Sequence, residues 1–422
     1  MGTVIRLVRS VSASRASLLV GSLALVFATA VAWGAARTSR DGQGPMIRVG
    51  VAVGATGPLS LASTTGLRVL DAQTDSLLLE SIGSAVLEVA RVGSGVRVAP
   101  TAGPVLTIVN VIRIEPSGTD PVMLDGVPYR GAIEVFAVED SAMNAVNELL
   151  LEEYLLGVVP IEIGPRGEEE FAAVAAQAVA ARTYAVAHLR AREEMGFDVF
   201  GSVEDQAYGG MAAERPESTR AVNETKGRIL MYDGLPIRAM YHSTCGGRTS
   251  PVEEVLDRAS APYLQSVSDR APDGTDYCAA SPRYRWVDTL QTVDLNGRVR
   301  REMERIFGAS VAQIGDVVGL RIAERTPSGR VRALAIRGTN SEFVVERLDI
   351  RIALQDDEGR ILGSTDFDIV TRDDGTIELH GRGYGHGSGM CQWGAIGRAR
   401  AGQKWETILA TYYPGTELVS AY

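Results

Sequence analysis

Between residues 46 and 146 the chain alternates short, β-branched apolar runs with Gly, Pro, Asp and Ser breaks; residues 47–53, 105–114 and 132–138 are such runs. This period and punctuation predict strands joined by turns. Near Asn147 the pattern changes. Beyond Pro160 and Pro165, the residues Phe171, Val174, Ala175, Ala178, Val179, Ala185, Val186 and Leu189 recur at helical spacing, predicting a closely packed, alanine-rich helix over about 168–195. Glu168, Glu169 and Glu170 in its first turn suit the positive end of the helix dipole. Strand-like alternation resumes over 287–370 around one helix near 297–307. Within that stretch, 331–337 and 343–348 read as a hairpin over Gly338-Thr339-Asn340-Ser341, and 405–413 reads as a short closing helix. The expected fold class is α+β: β-rich N- and C-terminal portions around a long Ala-rich helix, with the active site in a groove to which the C-terminal portion contributes His386. Three segments follow from the pattern: 1–40 as a targeting segment, 46–146 as a β-rich domain, and 147–422 as the region carrying the chemistry.

The targeting segment has its own signature. Arg6, Arg9 and Arg15 precede an uncharged run over 16–36 rich in Leu, Val and Ala, which fits an export signal or a single short membrane anchor. Both remain open, since small residues near Ala30 and Ala36 suit a signal peptidase while the uncut run is just long enough to span. Either way the body is expected outside the cytoplasm. Its composition, 45% apolar and 22% charged over 422 residues, is that of a globular protein and excludes collagen, coiled coil and disorder. The first forty residues hold five arginines and no acid, leaving 37 basic residues against 52 acidic ones. A body near −15 is a poor polyanion binder, so nucleic acid is excluded as the expected partner.

One carboxylate stands out. Glu162 reads as lying in a stiff loop between Pro160 and Pro165, because proline fixes its own φ and pushes its predecessor out of the helical region. Ile161 and Ile163 flank it, and apolar neighbours disfavour ionisation, as a general acid working near neutrality requires. The plainer reading is a surface glutamate in a turn. On the following helix Gln177, Arg182 and Tyr184 interrupt a small-residue surface, and Arg182 is equally placed to pair with a structural carboxylate.

At these residues the chain resembles the stage II sporulation protein D family, also called SpoIID/LytB. The segment Leu156-Gly157-Val158-Val159-Pro160-Ile161-Glu162-Ile163 followed by Ala175-Ala176-Gln177-Ala178-Val179-Ala180-Ala181-Arg182-Thr183-Tyr184 carries the likeness. Three further blocks agree: Asp205-Gln206-Ala207-Tyr208-Gly209-Gly210, His242-Ser243-Thr244-Cys245-Gly246-Gly247, and Gly383-Tyr384-Gly385-His386-Gly387 through Met390-Cys391-Gln392-Trp393-Gly394. The resemblance implies a peptidoglycan lytic transglycosylase whose catalytic acid and base is Glu162. It implies glycan strands as substrate, in the sporulation branch already stripped of stem peptides. Ile161 stands where a small polar residue is frequent and Ile163 where methionine is frequent, which alters the subsite without removing the acid. The same family includes amidase enhancers, which bind the wall and stimulate a separate hydrolase, and a water-using muramidase is a third reading.

A lytic transglycosylase manages with one carboxyl group, because the C6 hydroxyl of N-acetylmuramic acid replaces water, whereas an ordinary glycosidase needs two. Groups holding the sugar should surround the acid. Gln177, Arg182, Tyr208, His242, Ser243, Thr244, Tyr384, His386, Gln392 and Trp393 are the expected substrate contacts, the later ones lying in Gly-rich turns that let a ligand approach the backbone. Tyr384 and Trp393 suit sugar faces, although Trp393 equally reads as a packed core ring. His188 and His380 read as structural or solvated. No cofactor is required. Of Cys245, Cys278 and Cys391, an exported chain favours a disulfide between Cys245 and Cys278, both in loop-forming sequence. Zinc held by His242 with Cys245, Cys278 or all three cysteines competes with it, in a spacing that matches no standard finger.

Overall fold

A computed structural model describes residues 4–6 and 43–422 apart from 102, 109, 140, 291 and 357. The expected signal or anchor over 16–36 lies outside the described residues. Strands and helices both contribute substantially, and the fold is α+β. The body divides into two compact units: one runs from 43 to Arg238 and takes back Glu417–Tyr422, and the other spans Ala239–Thr416. The boundary read near Asn147 falls inside a strand, Met143–Leu150, whose register with Met46–Ala55 binds the two sides of that boundary into one sheet.

In the first unit the strand-rich segment forms two sheets among the described residues. One has the order Val127–Tyr129, Val122–Leu124, Leu59–Ser63, Ala85–Val92, Gly95–Pro100, Leu106–Ile108. Its alternation is legible along Ala85–Val92, where Leu87 and Val89 are buried while Val86 and Glu88 are exposed, as the two-residue side-chain period of a strand demands. The other sheet places Met46–Ala55, Met143–Leu150, Ala132–Ala137, Ile112–Pro116, Leu67–Asp71 and Leu77–Glu80 side by side, with Val199–Phe200 on the outer edge of Met46–Ala55. The single run expected over 105–114 is therefore two strands in two different sheets.

The strand Met143–Leu150 runs directly into helix α1 (Leu151–Ile163). Leu151, Tyr154, Leu155, Val158 and Val159 are its buried stripe, at offsets of 0, 3, 4, 7 and 8, the interval that lines one helix face. Helix α2 (Phe171–Ala187) follows after the 3₁₀ turn Glu168–Glu170 and is buried nearly all round, which explains its alanines: small side chains let α1, α3 (Pro216–Glu224) and the strand Arg228–Tyr232 approach it together. It is shorter than expected, ending at Ala187 because Arg190 turns the chain with φ 63°.

The second unit holds an antiparallel sheet of Arg285–Leu290, Ile377–Arg382 and Phe367–Thr371, and the hairpin Val331–Gly338 with Glu342–Glu346, the latter as expected. Its core gathers Leu290, Val299, Met303, Leu334, Ile336, Phe343, Phe367 and Leu379. The expected helices appear as Thr292–Phe307 and Trp405–Tyr412.

Candidate active site

Glu162 is helical. Proline at 160 does not end α1, which continues to Ile163 and closes with the Gly164 N–H donating to the Pro160 carbonyl at 3.1 Å. The stiff loop expected around the carboxylate is thus the last turn of a helix containing a proline. A proline inside a helix removes one backbone donor, and here the chain of the Asp205–Gly210 block lies against that part of α1: Gly209 N–H donates to the Gly157 carbonyl at 3.2 Å. Glu162 follows Leu155 and Val158 at helical intervals, so the buried stripe carries its side chain toward this loop, where it is half-buried. The Ala207 N–H donates to its Oε1 at 2.8 Å. Its flanking isoleucines point different ways, Ile163 buried and Ile161 45% exposed, so they do not enclose it as expected.

The loop that meets Glu162 is itself tightly held. Asp205 accepts hydrogen bonds from the Tyr184 hydroxyl at 2.7 Å, from Phe200 N–H at 2.8 Å and from Arg192, with which it pairs at 2.9 Å. Tyr154 is fully buried and donates to Gln206 Oε1 at 3.2 Å; burial, then the charge of Glu162, pushes its phenol well above the usual range. Tyr208 donates to Asn147 Oδ1 at 2.9 Å, and the Asn147 amide donates to the Arg130 and Ala132 carbonyls. Gly157 makes this approach possible, because a Cβ there would sit 2.6 Å from the Tyr208 ring and 2.8 Å from the Gly210 carbonyl. Tyr208 thus reaches Glu162's neighbourhood with its hydroxyl committed to the framework.

Two expected substrate contacts on α2 have other work. Arg182 is fully enclosed, and its guanidinium makes a two-pronged pair with Glu152 at 2.8 and 2.7 Å while also meeting Val222, Thr225 and Arg228. Glu152 further accepts from the Tyr422 hydroxyl and Gly227 N–H; despite burial, the Arg182 hydrogen bond and charge hold its carboxyl below the usual range. Gln177 has no exposed surface. Both residues are framework in this structure, because neither side chain reaches the surface.

In the second unit the two remaining blocks meet. Tyr241–His242 pairs in parallel with Met390–Cys391, and Thr244 bridges Tyr384. His242 is buried, with Nδ1 at 3.1 Å from the Ser388 carbonyl and its ring 5.4 Å from that of His386. His386 accepts at Nδ1 from Ser388 N–H and donates from Nε2 to the Tyr241 carbonyl, the tautomer this network assigns. Desolvation holds its imidazole down to about 4, so it is neutral near pH 7. Ser243 is half-buried; Thr244 is buried and bonded to Ser281 at 2.7 Å. Gln392 is buried, and the half-buried Trp393 opens the helix Gln392–Arg400 with its N–H on the Ser243 carbonyl. Tyr384 borders a cleft of about 320 Å³ with Trp286, Arg283 and Asp288. Trp286 went unnoticed in the sequence because no motif marks it.

The three cysteines also converge here, joined by an acid that nothing in the sequence signalled. Sγ atoms of Cys245, Cys278 and Cys391 and a carboxylate oxygen of Asp269 lie within 4.8 Å of one another, all buried. His242, expected as the fourth ligand, is not among them; its Nδ1 faces Ser388 instead. Burial pushes the Cys245 and Cys391 thiols well above the usual range and Asp269 up to about 7, while hydrogen bonds from Cys245 and Cys391 hold the Cys278 thiol low.

The stage II sporulation protein family, SpoIID, matches residues 139–232, and a domain of unknown function, DUF8618, matches 272–389. Stage II sporulation protein D of Bacillus subtilis (strain 168) is 30% identical over 296 residues, covering 67% of this chain and 78% of that protein. The homologous protein of Bacillus amyloliquefaciens is 32% identical, covering 66% and 76%. The amidase enhancer of Bacillus subtilis (strain 168) is 29% identical over 74% of this chain, which spans 47% of that relative's length. The chain belongs to the stage II sporulation protein D family, whose members are sporulation- and cell-wall-related. Membership agrees with a location in the cell envelope. Among the described residues no helix is long and apolar enough to cross a membrane.

Proposed function

We propose that the protein is a peptidoglycan lytic transglycosylase with Glu162 as its single acid and base. The observation that carries this reading is a half-exposed carboxylate held by the Ala207 backbone N–H at the end of a helix inside the segment that matches the family. The protonated carboxyl donates to the oxygen bridging N-acetylmuramic acid and N-acetylglucosamine. The carboxylate so formed then takes the proton of the muramic C6 hydroxyl as that oxygen closes onto C1, leaving a 1,6-anhydro end. General acid catalysis of this kind contributes about 10²–10⁴-fold.

A hydrolytic route calls for a second carboxylate to activate water or attack. The side chain of Asp205, the acid of the adjoining loop, is 2% exposed and bonded to Arg192, Tyr184 and Phe200, which favours the one-carboxylate chemistry. Stripped glycan strands are the expected substrate. The test is mass spectrometry of strands digested with the wild type and with Glu162→Gln. Anhydro ends that vanish in the variant support the reading, and reducing ends in their place point to a muramidase.

The likeness to an amidase enhancer favours a second reading, in which the chain binds the wall and stimulates a partner hydrolase. In that case strands alone stay uncut, and an added wall amidase works faster with wild type and Glu162→Gln alike.

A further inference from the structure

We propose that Cys245, Asp269, Cys278 and Cys391 form a closed, tetrahedral zinc centre that locks the two C-terminal motif blocks together. The distances suit it. Zinc–sulfur bonds of about 2.3 Å in a tetrahedron put neighbouring sulfurs about 3.8 Å apart, and a carboxylate oxygen slightly nearer. Here Cys245 and Cys278 Sγ are 3.6 Å apart, and Cys245 Sγ is 3.4 Å from Asp269 Oδ2. A disulfide between Cys245 and Cys278 uses the same sulfurs and explains neither the third thiol nor the buried acid beside them.

The surroundings are built for a bound anion-rich centre. Backbone N–H groups of Cys245 and Gly394 donate to Cys391 Sγ at 3.1 and 3.2 Å, and that of Gly247 to Cys245 Sγ at 3.4 Å. Cys391 caps the N-terminus of the helix Gln392–Arg400, where the dipole favours a thiolate. Asp269 presents Oδ2 to the sulfurs while Oδ1 accepts from the Tyr412 hydroxyl at 2.6 Å and pairs with Arg398 at 3.2 Å, the division of labour of a one-oxygen metal ligand with outer support. Gly394 is required at this point, because a Cβ there would lie 2.4 Å from Asp269 Oδ2 and 2.1 Å from the Tyr412 hydroxyl oxygen.

Loading the centre puts one divalent cation in place of whatever protons the three thiols and Asp269 still carry, and these are released to solvent. Three thiolates, a carboxylate and zinc carry two net negative charges, opposed by Arg398 and the N–H donors. All four ligands come from the protein and none has more than 1% exposure, so no position is open to water or substrate. The centre is structural.

Full-length protein isolated from the cell envelope without chelator or added reductant provides the test. Elemental mass spectrometry should find about one zinc per chain. Thiol titration should find none reactive in the native protein and all three cysteines after denaturation in chelator. Zinc near zero, with either a single titratable thiol from a disulfide or three from a bare cluster, overturns the proposal. Cys391→Ser should lose the metal, and retention of full stoichiometry in that variant also overturns it. Should that variant not fold, Tyr412→Phe keeps every ligand and should release zinc to a chelating dye with affinity lowered about 10–100-fold; unchanged release counts against the arrangement.

Discussion

The Ala207 N–H holds Oε1 of Glu162 at 2.8 Å, so a loop amide helps set where the carboxyl of the proposed acid lies. Glu162→Asp withdraws the carboxyl by one methylene from both that donor and the substrate. A misplacement of about 1 Å costs about 10²-fold in rate, and single-turnover cleavage of purified strands should fall by that much while the melting curve is unchanged. Arg182 shows the other use of a polar residue set among alanines. Arg182→Ala leaves Glu152 buried without its cation and should destabilise the protein by about 3–5 kcal/mol, read by urea denaturation. His188 adds a pH dependence. Burial holds its imidazole below 6.5, and its Nδ1–H donates to the Tyr184 carbonyl. The unfolded chain therefore binds more protons than the folded one below 6.5, so this contribution to stability is complete above 6.5 and is lost as pH falls. His188→Asn should flatten that slope in urea midpoints measured across the acid range. Glu162 stood out as a candidate from its motif, whereas Asp269 and Trp286 did not: their placement arises from contacts across many intervening residues, and no local pattern encodes these.

At the level of elements, α1 works as a lever arm between a sheet and a loop. Its stripe of Leu151, Tyr154, Leu155, Val158 and Val159 seats it, and the small residue at 157 lets the Tyr208 ring lie against it. Gly157→Ala favours the isolated helix yet overpacks this contact, at a cost of about 1–3 kcal/mol. The expected result is a folded protein whose cleavage rate drops more than its melting temperature, checked by activity and thermal scans on one preparation. The long helix and the 331–348 hairpin were readable because each has a strong period and clear punctuation. The helical state of Glu162 was not, because tertiary packing against the Asp205–Gly210 block outweighs the breaking tendency of Pro160. The end of α2 was equally hidden, since an arginine at positive φ, rather than a Gly or Pro, turns the chain.

At the scale of the whole molecule the chain leaves its first unit at Arg238 and returns to it with the final residues. Glu417–Ser420 pairs antiparallel with Arg228–Tyr232, and the Tyr422 hydroxyl reaches Glu152 in the first turn of α1. Deleting 417–422 should lower stability by at least the about 1.5–3 kcal/mol of a hydrogen bond to a charged group, with the loss seen in hydrogen exchange at α1 and α2. The alternation of the first unit was visible from sequence, but this return was not, because strand pairing between distant segments leaves no mark on either one. A nascent chain emerging amino end first holds Glu162 long before Tyr422 has been polymerised. The brace on that helix is in place only once residues 417–422 have been made, so a product terminated before Glu417 carries Glu162 on a loosened support.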